Sequence, residues 1–272
     1  MSAAAPPPAV AVVTHNSAAD LERFLAGQVE LALELDSSLI LVDNGSSDAT
    51  VDLARSHGDA VTLIASARNR GYAAAVNSAA AAVPGRDLLL LNPDVEAPPA
   101  GAVGALTSFL SARPRAAVVA PRQVGDDGRT QPSARRFPSL AAMLGSLPAA
   151  GRLGALRRRY DDYLSPSWSD EDTRVDWVNG AAMLIRREAF DALGGWDERF
   201  FLYMEDADFC RRCARAGWEI WLLPSVRLRH DYARASSRGA SVVESQARRR
   251  HIASLVRFFS REPRMLIGRG RR

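Results

Sequence analysis

Short apolar runs alternate with longer segments of helical periodicity through the first hundred residues. Residues 10–14 (VAVVT) form a run of strand type, and Ser17 follows as a helix cap with Asp20 in capping-box spacing. Residues 39–42 (LILV) make a second buried strand that ends in the turn signal Asp43-Asn44-Gly45. Ser47 is placed to cap the next helix, which stops near Gly58. Residues 61–65 give a third strand. Asn69-Arg70-Gly71 reads as a loop, 72–82 as an Ala-rich helix, and 88–91 (LLLL) as a fourth strand. Strands and helices alternating at this spacing predict an α/β fold, with a mainly parallel sheet flanked by helices. Ligands on such sheets bind at the carboxyl ends of strands. Thr14, Asp43, Asn69 and Asp94 all sit at or just beyond those ends.

The pattern loosens over 122–174, where Arg clusters surround an apolar middle (RRFPSLAAMLGSLPAAGRLGALRRRY). Regular structure resumes at 175–185. A helix over 187–193, the loop GGWDERFF, an acidic helix over 205–216 with Gly217 as its stop, and a strand at 219–223 follow. His230 falls in a polar loop, and 241–260 reads as a last helix. The organisation predicted is a disordered lead at 1–9, one domain at 10–235 with a variable insertion at 122–174, and a basic helical tail at 236–272. No internal repeat is present.

Composition narrows the classes. With 272 residues and 47% hydrophobic positions the chain can bury a full core. Net charge is +4, and all 35 basic residues are Arg. A nucleic-acid binder needs a continuous basic stripe; here the arginines are scattered among acids, so no nucleic-acid partner is expected. Cys210 and Cys213 have C-x-x-C spacing inside an Arg-rich helix, with no second pair to complete a zinc site. They read as reduced thiols of an intracellular protein. The N-terminus lacks the basic and apolar regions of a signal peptide, and no run of 18 apolar residues marks a membrane span.

The chemistry concentrates in two acidic clusters, Asn92-Pro93-Asp94 after a strand and Glu205-Asp206-Asp208 opening a helix. A carboxylate at a strand end can hold Mg²⁺ or Mn²⁺ beside a diphosphate, with phosphates and water supplying most ligands. Asp94 is the candidate, and His230 is a further possible ligand or a surface histidine. A carboxylate at a helix start can act as general base on a hydroxyl, although acids there are favoured by the helix dipole alone. Asp43 can accept the imide N–H of a uracil or thymine, or bond its own turn. Arg70 can meet a phosphate or base, or lie solvated, and Gly71 permits close backbone approach.

Together VVTHNS, LVDNGSSDAT, NRGYAAAVN, LLLLNPDV, the segment VNGAAMLIRREAFDALGGWDERFFLYMEDADFCRRCARAGW and RLRH resemble the family 2 inverting glycosyltransferases, in their bacterial rhamnosyltransferase-like branch. The resemblance spans roughly 10–232. It implies a GT-A fold, a nucleotide-sugar donor and a divalent metal. By this resemblance Asp43 is the pyrimidine-binding aspartate, and Thr14, Asn16 and Arg70 line the donor site. Asn92-Pro93-Asp94 takes the D-x-D position, Asp206 is the catalytic base beside Glu205, and His230 lies near the diphosphate. Gly180 and Trp196 fall on the acceptor side. Asn92 in place of the first acid weakens metal binding at that turn. The implied reaction moves a sugar, L-rhamnose from dTDP-L-rhamnose, to a cell-surface glycan on a polyprenyl diphosphate lipid. The protein would then work in the cytoplasm, peripherally on the inner face of the membrane. A UDP-hexose or UDP-galactofuranose donor, or a non-catalytic sugar-nucleotide-binding protein, are the alternatives.

Overall fold

The computed structural model describes residues 6–34, 38–147, 149, 152–230 and 243–263. Strands β1 (Ala9–Thr14), β2 (Leu39–Asp43), β3 (Thr62–Ala65) and β4 (Leu88–Leu91) lie where the apolar runs place them and pair in parallel. Every residue of β1, β2 and β4 is buried, which is why they read as continuous apolar runs rather than alternating ones. Later come β5 (Ala116–Val124), β6 (Ala134–Arg135), β7 (Thr173–Val175), β8 (Trp177–Val178), β9 (Ala182–Ile185) and β10 (Glu219–Arg229). One eight-stranded sheet has the order β3-β2-β1-β4-β9-β5-β10-β7, and β6 and β8 form a separate ribbon. The expectation of a mainly parallel sheet holds with two exceptions. β9 runs antiparallel between β4 and β5, and β7 is an antiparallel edge on β10. The reversal of β9 matters for the site. It starts where the parallel strands end, so the backbone just before Ala182 arrives at the carboxyl edge of the sheet.

Alternate strand residues point to opposite faces, giving two cores. Val10, Val12, Leu39 and Leu41 pack with α1 (Ala18–Glu34), α2 (Thr50–Arg55) and α4 (Ala100–Ser111). Ala11, Val13, Ile40 and Val42 pack with α3 (Tyr72–Ala82), α7 (Arg187–Ala192) and α8 (Glu205–Arg215). The last described helix, α9 (Val243–Arg261), adds Phe258 to that second core. Cys210 and Cys213 are buried in it too, as free thiols.

Local signals were read less accurately than the strands. The carboxylate at the start of α1 comes from Asp48, whose Oδ2 accepts the Ala18 N–H at 3.2 Å. Ser47 does not cap α2; its N–H donates to Asn16 Oδ1 at 2.8 Å, and the helix starts later, with Thr50 bonded to Asp48. A 3-10 turn at Gly58–Ala60 follows it.

The 122–174 stretch holds α5 (Leu140–Gly145) and α6 (Gly154–Leu164). Arg135 lies over the rings of Trp177 and Tyr163, with 4.8 and 5.9 Å to the centroids. Phe137 and Met143 pack on the core, whereas Leu140, Leu144, Leu147 and Leu153 are exposed. In α9 the apolar face of Leu255, Phe258 and Phe259 is turned onto the body, and Ile252 and Val256 face outward. The helix is also fastened by Ser254 to the Leu202 carbonyl and by Glu262 to Arg211 and Arg215. Residues 231–235 at the end of the expected domain, and 236–242 and 264–272 of the expected tail, lie outside the described residues. No described helix is long and apolar enough to cross a membrane.

Candidate active site

The carboxyl ends of β1, β2, β4 and β10 share one edge, and the chain entering β9 meets them there. At the β2 end, Asp43 is almost fully buried and its carboxylate is saturated. It accepts from Thr14 Oγ1 at 3.2 Å, the Gly45 and Ser46 N–H groups at 3.1 and 2.9 Å, and the Ser46 hydroxyl. A carboxylate offers about four acceptor directions, so a pyrimidine imide can be accepted only after the Thr14 or Ser46 hydroxyl rotates away. Asn16, in left-handed backbone at φ 53°, closes the neighbouring turn through Ser46 and Ser47. Next to them the buried Asn44, not singled out from the sequence, fixes the 69–71 loop. Its Nδ2 donates to Asn69 Oδ1 and the Gly71 carbonyl, both at 3.0 Å, and its Oδ1 accepts the Arg70 N–H at 2.8 Å. Arg70 itself is half-exposed and 3.5 Å from Glu198. Gly71 has φ +92°, and a Cβ there would sit 2.7 Å from the Phe201 carbonyl oxygen. The loop thus rests directly on the segment leading to the acidic helix.

That segment is strained. Tyr203 and Met204 both have φ 68° immediately before Glu205, a conformation costing about 1–3 kcal/mol per residue outside glycine. Asp206 is half-buried, and its carboxylate accepts the Gly180 N–H at 3.0 Å and the Ala207 N–H at 2.7 Å. Burial pushes its pKa up, and those backbone donors oppose the rise by favouring the charged form. Glu205 is more deeply buried, and its Oε2 has no hydrogen-bond partner. Burial first, and the Asp206 charge second, push its pKa well above the ordinary value. The pair is therefore unequal: both carboxyls are pushed up by burial, and Glu205, which lacks the backbone donors of Asp206 and faces its charge, is pushed further. Asp208, third in the cluster, is ion-paired to Arg212 at 2.8 Å and serves the helix.

Tyr72 was read only as a helix start, yet it ties the halves of the site together. Its hydroxyl lies 2.9 Å from Asn92 Oδ1 and 3.0 Å from the Gly180 carbonyl. A side chain at Gly180 would fit tightly, since a Cβ would lie 3.3 Å from both the Trp196 and Tyr72 rings. Trp196 is itself buried, so it backs this wall rather than lining the opening.

Asp94 and His230 meet at the β4 and β10 ends. His230 was expected in a polar loop. Instead β10 continues to Arg229, and His230 is buried and bridged to Val95. Its Nε2 lies 3.4 Å from Asp94 Oδ1, a buried atom without a hydrogen-bond partner. An orphaned carboxylate oxygen beside an imidazole nitrogen fits a divalent cation that takes its remaining ligands from phosphate and water. No group of three or more His, Cys, Asp and Glu able to hold a metal occurs among the described residues. Asn92 Oδ1 lies 2.9 Å from the Tyr72 hydroxyl. A cavity of about 400 Å³ opens on Asp94, bordered by Arg23, Phe24, Pro93 and Arg229.

The sequence matches known proteins along the same lines. The Glycosyl transferase family 2 model matches residues 9–194, and the model of Glycosyl transferase family group 2 matches 151–265. A Mycobacterium tuberculosis (strain H37Rv) protein, N-acetylglucosaminyl-diphospho-decaprenol L-rhamnosyltransferase, is 37% identical over 246 residues, covering 84% of this chain and 77% of its own length. The rhamnosyltransferase WbbL of Escherichia coli (strain K12) is 37% identical over 91 residues, 34% of this chain and 33% of its own. Among solved structures, GalNAc-T7 with UDP, GalNAc and Mn²⁺ superposes with a TM-score of 0.61 at 18% identity, over 83% of this chain and 44% of that one. The mannosyltransferase of Pyrobaculum calidifontis in complex with GDP-Man and Mn²⁺ gives 0.59 at 18% identity, over 93% and 74%. These structures bear on the fold, which is GT-A. Motif order, site geometry and the matched length agree, and the chain belongs to family 2 of the glycosyltransferases.

Proposed function

We propose that this glycosyltransferase moves L-rhamnose from dTDP-L-rhamnose to a hydroxyl of a glycan on a polyprenyl diphosphate, with inversion, by a single displacement. The observation that carries this is Asp206. It is a partly exposed carboxylate that accepts two backbone N–H groups, at the sheet edge that also holds Asp94 and His230. The acceptor hydroxyl would lie against Asp206, which takes its proton as the oxygen attacks the anomeric carbon. Glu205 is buried, which leaves Asp206 as the carboxylate of the pair that an acceptor can reach. Asp94 and His230 would hold the divalent metal, whose chemistry is to neutralise the leaving diphosphate. Thr14, Asp43 and the 69–71 loop would frame the nucleotide, and Gly180 the acceptor. The names of the M. tuberculosis and E. coli relatives support rhamnose as the sugar, and the former supports a polyprenyl-diphosphate acceptor. The reading places the enzyme at the cytoplasmic face of the membrane.

The test is turnover with dTDP-rhamnose and UDP-galactose side by side, scored by product release and by acceptor glycosylation. Transfer from dTDP-rhamnose is expected. Asp206→Asn should lower the rate by ~10²–10⁴ while donor affinity stays within a few fold. Preference for the UDP-sugar would reassign the donor. Tight donor binding without transfer or hydrolysis would make the protein a non-catalytic binder.

A further inference from the structure

We infer that Gln131 is a positioning residue that holds His230 in the tautomer able to bind a cation with Asp94. This rests on the reading of that pair as the metal site. Gln131 follows the Asp127-Gly128 turn, and its backbone N–H is bonded to the Gln123 carbonyl at 2.9 Å, so its side chain starts from a fixed point on β5. The side chain makes two contacts to one residue. Nε2 donates to the backbone carbonyl of His230 at 2.8 Å, and Oε1 lies 3.1 Å from His230 Nδ1. A carbonyl oxygen only accepts, so the NH₂ end of the amide must face it. Oε1 then faces Nδ1, and an amide oxygen also only accepts, so Nδ1 carries the hydrogen. In the neutral imidazole Nε2 is left with its lone pair.

Nε2 lies 3.4 Å from Asp94 Oδ1. A nitrogen lone pair and a carboxylate oxygen at that separation are two ligand atoms that one divalent cation can share. The imidazole is fixed in place as well as in tautomer. The His230 N–H is bonded to the Val124 carbonyl at 2.9 Å, and the next strand pairing, of Glu96 N–H with the Arg229 carbonyl at 2.8 Å, holds the Asp94 turn against it. The information runs from a backbone carbonyl through the amide to the ring, and from the ring to the metal position. Outer partners of this kind change metal affinity by roughly 10–100-fold when removed. Where the protein supplies only Asp94 and His230 to the proposed metal site, ring orientation carries correspondingly more weight.

The experiment uses the full chain labelled with ¹⁵N. Long-range ¹H–¹⁵N spectra report the tautomer of His230 without metal, assigned by loss of its signals in His230→Asn. Mn²⁺ affinity in the presence of thymidine diphosphate is measured in parallel, with circular dichroism to confirm folding. The wild type should show the Nδ1–H form. Gln131→Leu should lose that fixed tautomer and bind Mn²⁺ about tenfold or more weakly. Gln131→Glu keeps an acceptor for Nδ1–H and should recover both readouts to within a few fold. Thymidine diphosphate binding in excess chelator should be the same for all three. An Nε2–H or mixed tautomer in the wild type, or undiminished Mn²⁺ binding by folded Gln131→Leu, would overturn the assignment. An Nδ1–H wild type that binds no Mn²⁺ would instead overturn the metal reading and leave the tautomer lock standing.

Discussion

Two carboxylates that are neighbours in the chain, Glu205 and Asp206, end up chemically unlike because their surroundings differ. Asp206 has backbone donors and an opening; Glu205 has burial and an orphaned oxygen. The sequence showed that the acids sit at a helix start, but their division depends on the Gly180 N–H, which arrives from a distant segment. The same limit applies to Asp43. Its place after β2 was legible; the four hydrogen bonds that saturate it were not. Glu205 has a consequence for stability. Its pKa is raised on folding from an ordinary value of 4.5, so the folded chain binds that proton more tightly than the unfolded chain. The stability this gives is fully present below the ordinary value and is lost as pH rises toward the folded one. Glu205→Gln removes the titration. The unfolding free energy of the variant should therefore gain on that of the wild type as pH rises above about 5, as denaturant titrations would measure. A difference that stays flat over this range would mean that Glu205 titrates as an ordinary carboxylate.

At the scale of elements, β1 to β4 and α3 were legible because buried parallel strands and Ala-rich helices have strong local patterns. The antiparallel insertion of β9 was not, since periodicity carries no direction, and neither was the continuation of β10 to Arg229. In that last half of β10 exposed arginines alternate with buried Val226 and Leu228, and the arginines made the end resemble a loop. The 92–122 interval likewise hid α4 and β5. What builds the site is contact between elements, and Gly71 shows it most directly. It starts α3 at φ +92°, with its Cα against the Phe201 backbone. The Tyr72 N–H then donates to the Phe201 carbonyl at 2.9 Å. Gly71→Ala adds both left-handed strain and a clash, so it should cost about 1–3 kcal/mol. The Tyr203–Met204 turn and Asp206 would be displaced with it. The expected result is a lower thermal midpoint together with a loss of transfer rate. A variant with unchanged midpoint and rate would show that the loop and the acidic helix are not mechanically joined.

One flank of the molecule combines exposed leucines with exposed arginines. Leu140 and Leu144 on α5, and Leu147 and Leu153 just outside α5 and α6, are exposed, as are Arg152, Arg157, Arg158 and Arg159. This flank is tied to the Gly180 wall of the site. The Arg136 N–H bonds the Tyr163 carbonyl at the end of α6. The Trp177 indole bonds the Arg136 carbonyl at 2.8 Å, and Trp177 belongs to the strand that leads to Gly180. The C-terminal helix offers less apolar surface, because Leu255, Phe258 and Phe259 pack on the protein's own core. A membrane contact by the proposed enzyme would therefore use the α5–α6 flank. Arg near an anionic leaflet contributes ~1 kcal/mol each, and the exposed leucines can enter the headgroup layer. The full chain should sediment with phosphatidylglycerol vesicles at low salt and much less with neutral ones. Combining Leu140→Ser, Leu144→Ser and Leu147→Ser should weaken that binding several-fold. Turnover on a short water-soluble acceptor should stay unchanged, since none of the three side chains lies at the site. Equal sedimentation of the triple variant and the wild type would remove the leucines from any membrane role. Failure of both to sediment would favour an acceptor met in solution.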